Sequence, residues 1–133
     1  MQPTSCDILL VDDDPAIRAS FAEALEEEGF RVATAAHGME ALCYLRSMPA
    51  PRLIVLDLMM PVLDGWGFLV EQRADQVLRA IPVVVLSAHI LSEREAAMLD
   101  VALYLRKPIK MLSLLMIVES YCRIDDIARE AEA

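Results

Sequence analysis

LIVLDLMMPVLDG, residues 53–65, decides the fold. Four apolar residues run into Asp57, and an Asp64-Gly65 turn then opens a stretch of helical spacing that begins near Trp66. An uninterrupted apolar run of that length fits a strand buried on both faces, which is the environment of a parallel sheet sandwiched between helices. Working outward, runs of the same kind occupy residues 8–11, 32–35, 82–86 and 102–105, each separated from the next by a helical pattern. Strands alternating with helices predict βαβ units. The fold class is therefore α/β, with a doubly wound five-stranded parallel sheet and five helices.

The helices carry their own punctuation. Asp14 and Pro15 stand where an N-cap and a first helical position belong, Ile17, Phe21, Ala24 and Leu25 form one apolar stripe, and Gly29 ends the first helix. His37 and Gly38 lead into a second helix bearing Ala41, Leu42 and Leu45, which Pro49, Ala50 and Pro51 break. Residues 92–99 make a short fourth helix, and a fifth runs from residue 109 to about 122. Residues 124–133 are a charged C-terminal tail, read as a fraying helical end. On the fifth helix a period of 3.6 groups Met111, Leu114, Leu115, Val118, Tyr121 and Cys122 on one side. Leu112 and Met116 fall one turn apart, away from that stripe, and are assigned to a homodimer or partner interface.

Length and charge exclude whole classes of function. A chain of 133 residues fits one domain, so no second catalytic or DNA-binding module is expected. A net charge of −9 argues against nucleic acid as a partner, because neutralising phosphates is the main non-specific term in such binding. Cys6, Cys43 and Cys122 are odd in number and lack metal-ligand spacing, so they read as reduced thiols. The N-terminus has no basic n-region and no apolar stretch approaches the ~20 residues of a membrane span. The expected location is cytoplasmic, without membrane partners.

Four of the five apolar runs end in chemistry: Asp12 with Asp13, then Asp57, Ser87 and Lys107. In a parallel sheet all carboxyl ends share one edge, so these groups converge. Three aspartates brought together repel unless a cation lies among them, and hard oxygen ligands suit Mg²⁺, with Mn²⁺ as a substitute. A carboxylate beside such a metal can attack a phosphoryl group and form an acyl phosphate. Lys107 and Ser87 would then bind the transferred oxygens. Taken singly, each residue also has a plain role: turn and cap residues at Asp12 to Asp14, a strand-end acid at Asp57, a surface charge at Lys107. The coincidence at four strand ends favours the joint reading. Asp14 alone keeps the plain one, because Pro15 follows it.

Taken together, ILLVDDDP, LIVLDLMMPVLDG, VVVLSA and YLRKP resemble the four signature segments of the receiver domain of bacterial two-component response regulators. The resemblance covers residues 6–123 and looks most like the single-domain, chemotaxis-regulator type, with no output domain. It implies a flavodoxin-like fold with strand order 2-1-3-4-5. It further implies that Asp57 accepts the phosphoryl group and that Asp13, the Asp57 carboxylate and the Met59 carbonyl ligate the metal, with Asp12 helping through water. Lys107 would pair with the phosphoryl oxygens, and the bond before Pro108 would be cis. Ser87 would swing onto the phosphoryl group while Tyr104, the aromatic switch, rotates inward. Ala88 would leave the group accessible, and Met59 and His89 would flank the hydrolytic water and tune its lifetime.

The implied activity is that of a phosphorelay component and phosphoprotein. A phosphohistidine on a histidine kinase or a histidine phosphotransfer protein donates, and signal transduction follows from altered binding to a downstream target protein. No separate substrate is turned over, so the chain is not an enzyme in the ordinary sense. Two alternatives stand beside this reading. Asp12-x-Asp14 is similar to the motif of aspartate-nucleophile phosphatases of the haloacid dehalogenase type, although Pro15-Ala16 continues it poorly. A flavin-binding, flavodoxin-like carrier would need a Ser/Thr/Gly-rich phosphate loop where three aspartates stand. The chain also departs from the receiver pattern: Asp100 and Val101 replace a usual Gly-Ala pair, and the segment from Ser87 to Lys107 is about two residues short. A short or displaced fourth helix is expected, on the helix 4 to helix 5 face that receivers use for dimers and partners.

Overall fold

The computed structural model describes the backbone of residues 7–132 and side chains through Cys122. In chain order the elements are β1 (Ile8–Val11), α1 (Pro15–Glu27), β2 (Val32–Ala35), α2 (Gly38–Ser47), β3 (Leu53–Asp57), α3 (Gly65–Ala74), a single 3₁₀ turn (Leu78–Ala80), β4 (Val83–Ser87), α4 (Glu93–Leu99), β5 (Leu103–Arg106) and α5 (Met111–Glu132). All strand pairs are parallel, in the order β2-β1-β3-β4-β5. This is the flavodoxin-like order expected.

The three central strands β1, β3 and β4 are buried along their whole length and are apolar up to the Asp57 and Ser87 that end β3 and β4. The edge strands β2 and β5 are partly exposed and carry Thr34 and Arg106. Leu9, Val11, Ile54, Leu56, Val83 and Val85 point toward Leu42 and Leu45 of α2 and Phe68 and Leu69 of α3. Their neighbours Ile8, Leu10, Leu53, Val55, Val84 and Leu86 point the other way, toward Leu25 of α1 and Leu114, Val118 and Cys122 of α5. Alternation across a pleat thus divides one run of residues between two cores, each fully buried Leu contributing ~1.5–3 kcal/mol. Register then sets the functional edge. Val11 pairs with Leu56, Asp57 with Leu86 and Ser87 with Arg106, so Asp12, Asp57, Ser87 and Lys107 finish at nearly one level.

Boundaries differ from expectation in ways that have causes. β4 begins at Val83, since Pro82 has no N–H to give the ladder, and Asp57 and Ser87 are themselves the last strand residues. α5 continues to Glu132, well beyond Cys122, because residues 123–132 contain neither Gly nor Pro to stop it. The side chains of that tail, like Cys6, lie outside the described residues. Asp14 does cap α1, accepting from the N–H groups of Ala16 at 2.9 Å and Ile17 at 3.3 Å.

The fourth helix is short, at seven residues. Ser92 and Glu95 form a reciprocal capping box at its start, and Asp100, at φ 45°, takes the left-handed position that ends it. Arg73 reaches over from α3 to donate to the carbonyls of Met98 at 3.4 Å and Asp100 at 3.3 Å. Leu99 is the one residue of α4 that is buried. Among the described residues, no helix is long and apolar enough to cross a membrane.

Candidate functional site

The carboxyl edge of β1, β3, β4 and β5 holds the site. Asp12 and Asp57 are buried and Asp13 is exposed, and oxygens of the three carboxylates lie within 4.8 Å of one another. Lys107, carried in by β5, places Nζ 2.8 Å from Asp12 Oδ2 and 3.4 Å from Asp57 Oδ2. The peptide bond from Lys107 to Pro108 is cis. Asp12 Oδ1 accepts the N–H of Asp14 at 2.9 Å, and Asp57 Oδ1 accepts that of Met59 at 3.2 Å. Gly65 lets α3 begin against this strand end, for a Cβ there would sit 2.7 Å from Leu58 Cα and 2.8 Å from the Asp57 carbonyl oxygen.

Charge explains the chemistry of the cluster. Burial raises the pKa of Asp57; the Lys107 ammonium and the Met59 N–H oppose that without cancelling it, while the Asp12 charge adds to it. Burial alone would lower Lys107, yet the hydrogen bond to Asp12 and the negative charges of Asp57 and Asp12 outweigh it and raise its pKa. The Lys107 ammonium pairs with Asp12 and Asp57, and among the described residues no ion pair is seen for Asp13, so the three carboxylates are only partly neutralised. The excess of negative charge and the all-oxygen donor set fit a hard dication, with Asp12, Asp13 and Asp57 as its protein groups.

The remaining expected residues surround this core. Ser87 is buried, and its hydroxyl accepts the N–H of His89 at 3.2 Å. The Tyr104 hydroxyl donates to the carbonyl of the same His89 at 3.1 Å. Met59, Ala88 and His89 are exposed at the mouth, and Met59, Trp66, Ser87 and His89 line a cleft of about 320 Å³. Leu112 and Met116 lie elsewhere, 69% and 63% exposed on α5, with Met116 lining a shallow groove beside Leu103 and Tyr121.

His37 leads into the second helix as expected, whereas Arg18 was not singled out from the sequence. His37 Nδ1 caps α2 by accepting the N–H of Glu40 at 3.2 Å. Arg18 donates from Nη1 to the Asp12 carbonyl at 2.7 Å. A helical side chain leans toward its N-terminus, so an arginine one turn after a capping Asp14 does face the end of β1. That spacing was the available signal.

The response regulator receiver domain family matches residues 8–119. This chain belongs to that family. Receiver domains are the phosphorylation-accepting signalling domains of two-component response regulators, and they interact with histidine kinases and downstream effectors. The chain is 36% identical over 118 residues to an uncharacterized 14.6 kDa protein in the sodA1 3′ region of Leptolyngbya boryana, covering 87% of this chain and 89% of that one. It is 40% identical over 124 residues to the transcriptional regulatory protein PrrA of Mycobacterium bovis, covering 90% of this chain and 51% of that one. The chain thus spans about half, and elsewhere about a third, of the length of the response regulator and transcriptional regulators it matches. Among solved structures it resembles the receiver domain of sensor histidine kinase PA1611 from Pseudomonas aeruginosa PAO1, at 29% identity and a TM-score of 0.78, over 90% of this chain and 98% of that one. That receiver domain was crystallised with a magnesium ion coordinated in its active site cleft. Neither the phosphatase nor the flavin-carrier alternative gains support.

Proposed function

We propose that Asp57 is the phosphoacceptor of this receiver, that Asp13, Asp57 and the Met59 carbonyl hold Mg²⁺ with Asp12 assisting through water, and that a phosphohistidine supplies the phosphoryl group. The observation that carries the reading is the meeting of Asp12, Asp13 and Asp57 around the single ammonium of Lys107. A bound dication would neutralise the acids and polarise the incoming phosphoryl oxygens. An Asp57 carboxylate oxygen attacks phosphorus, the P–N bond to the donor imidazole breaks, and the imidazole leaves as it takes up a proton. Lys107 then exchanges its contacts with Asp12 and Asp57 for the new phosphoryl oxygens, and Ser87 gives up the His89 N–H to donate its hydroxyl to them. Because Tyr104 holds the carbonyl of the same residue, His89, that exchange reaches the surface between α4 and β5. Met59, Ala88 and His89 at the mouth set the access of water and hence the lifetime of the acyl phosphate.

The test is incubation with a small phosphodonor and Mg²⁺, followed by intact-mass analysis. One base-labile phosphoryl group is expected on the parent and none on Asp57→Asn. Labelling of Asp57→Asn at the parental rate overturns the assignment.

We also propose that Leu112 and Met116 belong to a homodimer or target-protein interface on the α4 to α5 face, supported by the exposure of both and by the groove that Met116 lines. Changing both to Glu should lower association by roughly 10-fold or more while leaving the fold intact, since burying a charge in an apolar contact is strongly unfavourable. Sedimentation and partner binding equal to the parent, with and without phosphorylation, would end this reading.

A further inference from the structure

We infer that Arg18 is a positioning residue of the metal site, holding the peptide between Asp12 and Asp13 in the orientation that keeps the Asp13 carboxylate beside Asp57. The inference rests on the Mg²⁺ reading above. The partly buried guanidinium leaves the first turns of α1 and donates through Nη1 to the Asp12 carbonyl at 2.7 Å, a length typical of charge-assisted hydrogen bonds. A carbonyl and the N–H of the following residue share one rigid plane. Fixing the Asp12 carbonyl therefore fixes the plane from which Asp13 departs.

The other tethers of this turn act on other atoms. Asp12 Oδ1 is held by the Asp14 N–H at 2.9 Å, Oδ2 by Lys107 at 2.8 Å, and the Asp12 N–H by the Ala35 carbonyl at 3.1 Å. All of them secure Asp12 itself. Asp13 is exposed, and among the described residues no hydrogen bond holds its carboxylate. An untethered ligand depends on its backbone for placement, because groups behind a metal ligand decide how much order the ion must impose. Arg18 supplies that placement.

Arg18 is also a cation beside a cation site, which makes the sign of its effect diagnostic. As a charge alone it repels Mg²⁺, so removing it should tighten binding. As a clamp it aids Mg²⁺, so removing it should weaken binding. We expect Arg18→Ala to raise the Mg²⁺ Kd by about 10-fold, the lower end for residues that support a ligand from behind. Arg18→Lys, with the charge kept and the planar fork lost, should fall between that variant and the parent.

The experiment titrates Mg²⁺ by calorimetry and Trp66 fluorescence into the parent, Asp13→Asn, Arg18→Ala and Arg18→Lys, with circular dichroism reporting the fold. In the metal-free proteins, ¹⁵N relaxation of the Asp13 amide should show greater motion in Arg18→Ala than in the parent. Arg18→Gln takes the place of Arg18→Ala if the latter does not fold. Weakened Mg²⁺ binding together with a looser Asp13 amide supports the inference. Binding as tight as the parent, or tighter, overturns it and leaves Arg18 a bystander charge. Absence of Mg²⁺ binding in the parent overturns the metal reading first, and the inference falls with it.

Discussion

Removing Lys107 should unbalance the metal-free protein more than any other single change at the site. Its Nζ lies 2.8 Å from one buried carboxylate and 3.4 Å from another. At an effective dielectric of ~20 these separations correspond to gross attractions of ~6 and ~5 kcal/mol. Desolvation cancels most of that, and measured losses on deleting one partner of a buried pair run ~3–5 kcal/mol. Lys107→Met should fall near the lower end, ~3 kcal/mol, because the side chain is 17% exposed and the stranded acids can take up a proton. The assay is urea unfolding at neutral pH in chelator, followed by Trp66 fluorescence. With a slope of ~1–3 kcal/mol per M, the midpoint should drop by about 1 M or more. The deficit should shrink as pH falls, since protonating Asp12 or Asp57 removes the uncompensated charge. It should also narrow at a fixed, saturating Mg²⁺ concentration, because without the ammonium to repel it the ion binds the acids of Lys107→Met more tightly than those of the parent; a Kd lower by about 10-fold closes the gap by ~1.4 kcal/mol. An unchanged midpoint in chelator, or a gap indifferent to Mg²⁺, refutes the argument that Lys107 is the neutralising partner.

Three further outcomes follow from the geometry. Val62, in the loop between β3 and α3, sits at φ 68° and is 77% exposed, so Val62→Asn should relieve left-handed strain without losing packing. A gain of about 1 kcal/mol in urea unfolding is expected, and a loss would show that the valine side chain has a packing role. The pKa of Asp57 is raised in the folded state above its ordinary 3.8, so the native protein holds a proton that the unfolded chain has released. Stability from this group is complete below 3.8 and is lost as pH rises through the raised folded value; Asp57→Asn should lack that slope, and identical pH profiles would contradict it. Arg73→Ala should speed amide exchange in α4 by roughly 5-fold, the effect of losing about 1 kcal/mol of hydrogen bonding, while core amides keep their rates. Equal acceleration throughout would mean that Arg73 supports the whole domain.

What was legible in the sequence is what burial writes plainly. Strands covered on both faces, as β1, β3 and β4 are, must be apolar along their length, so those runs stand out most, and a polar residue at such a run's end needs a reason. Asp12, Asp57, Ser87 and Lys107 were found that way, and the structure brings Asp12, Asp57 and Lys107 into contact. The fifth-helix stripe was equally readable, since Leu114, Val118 and Cys122 are buried and Leu112 and Met116 are not. Local caps such as Asp14 were readable too, but reaches of long side chains to distant main-chain carbonyls were not. Arg18 to the Asp12 carbonyl and Tyr104 to the His89 carbonyl depend on where long side chains end, and no residue type at the acceptor signals either bond. The end of α5 was missed for a different reason: no glycine or proline marks it.

The two bonds at His89 divide labour within a single residue. Its N–H serves Ser87 and its carbonyl serves Tyr104, so the joint between the buried hydroxyl and the surface phenol consists of backbone alone. Any residue other than proline offers the same pair of atoms. The imidazole takes no part in either bond and stands exposed at the mouth of the cleft. On the roles proposed above, transmission and timing would separate under mutation: replacing His89 by alanine, glutamine or glutamate would alter the surroundings of the hydrolytic water while both backbone bonds, and with them the link from Ser87 to Tyr104, stay in place. A receiver with those roles so divided would be reset from a brief signal to a long one at one codon without relearning how to signal.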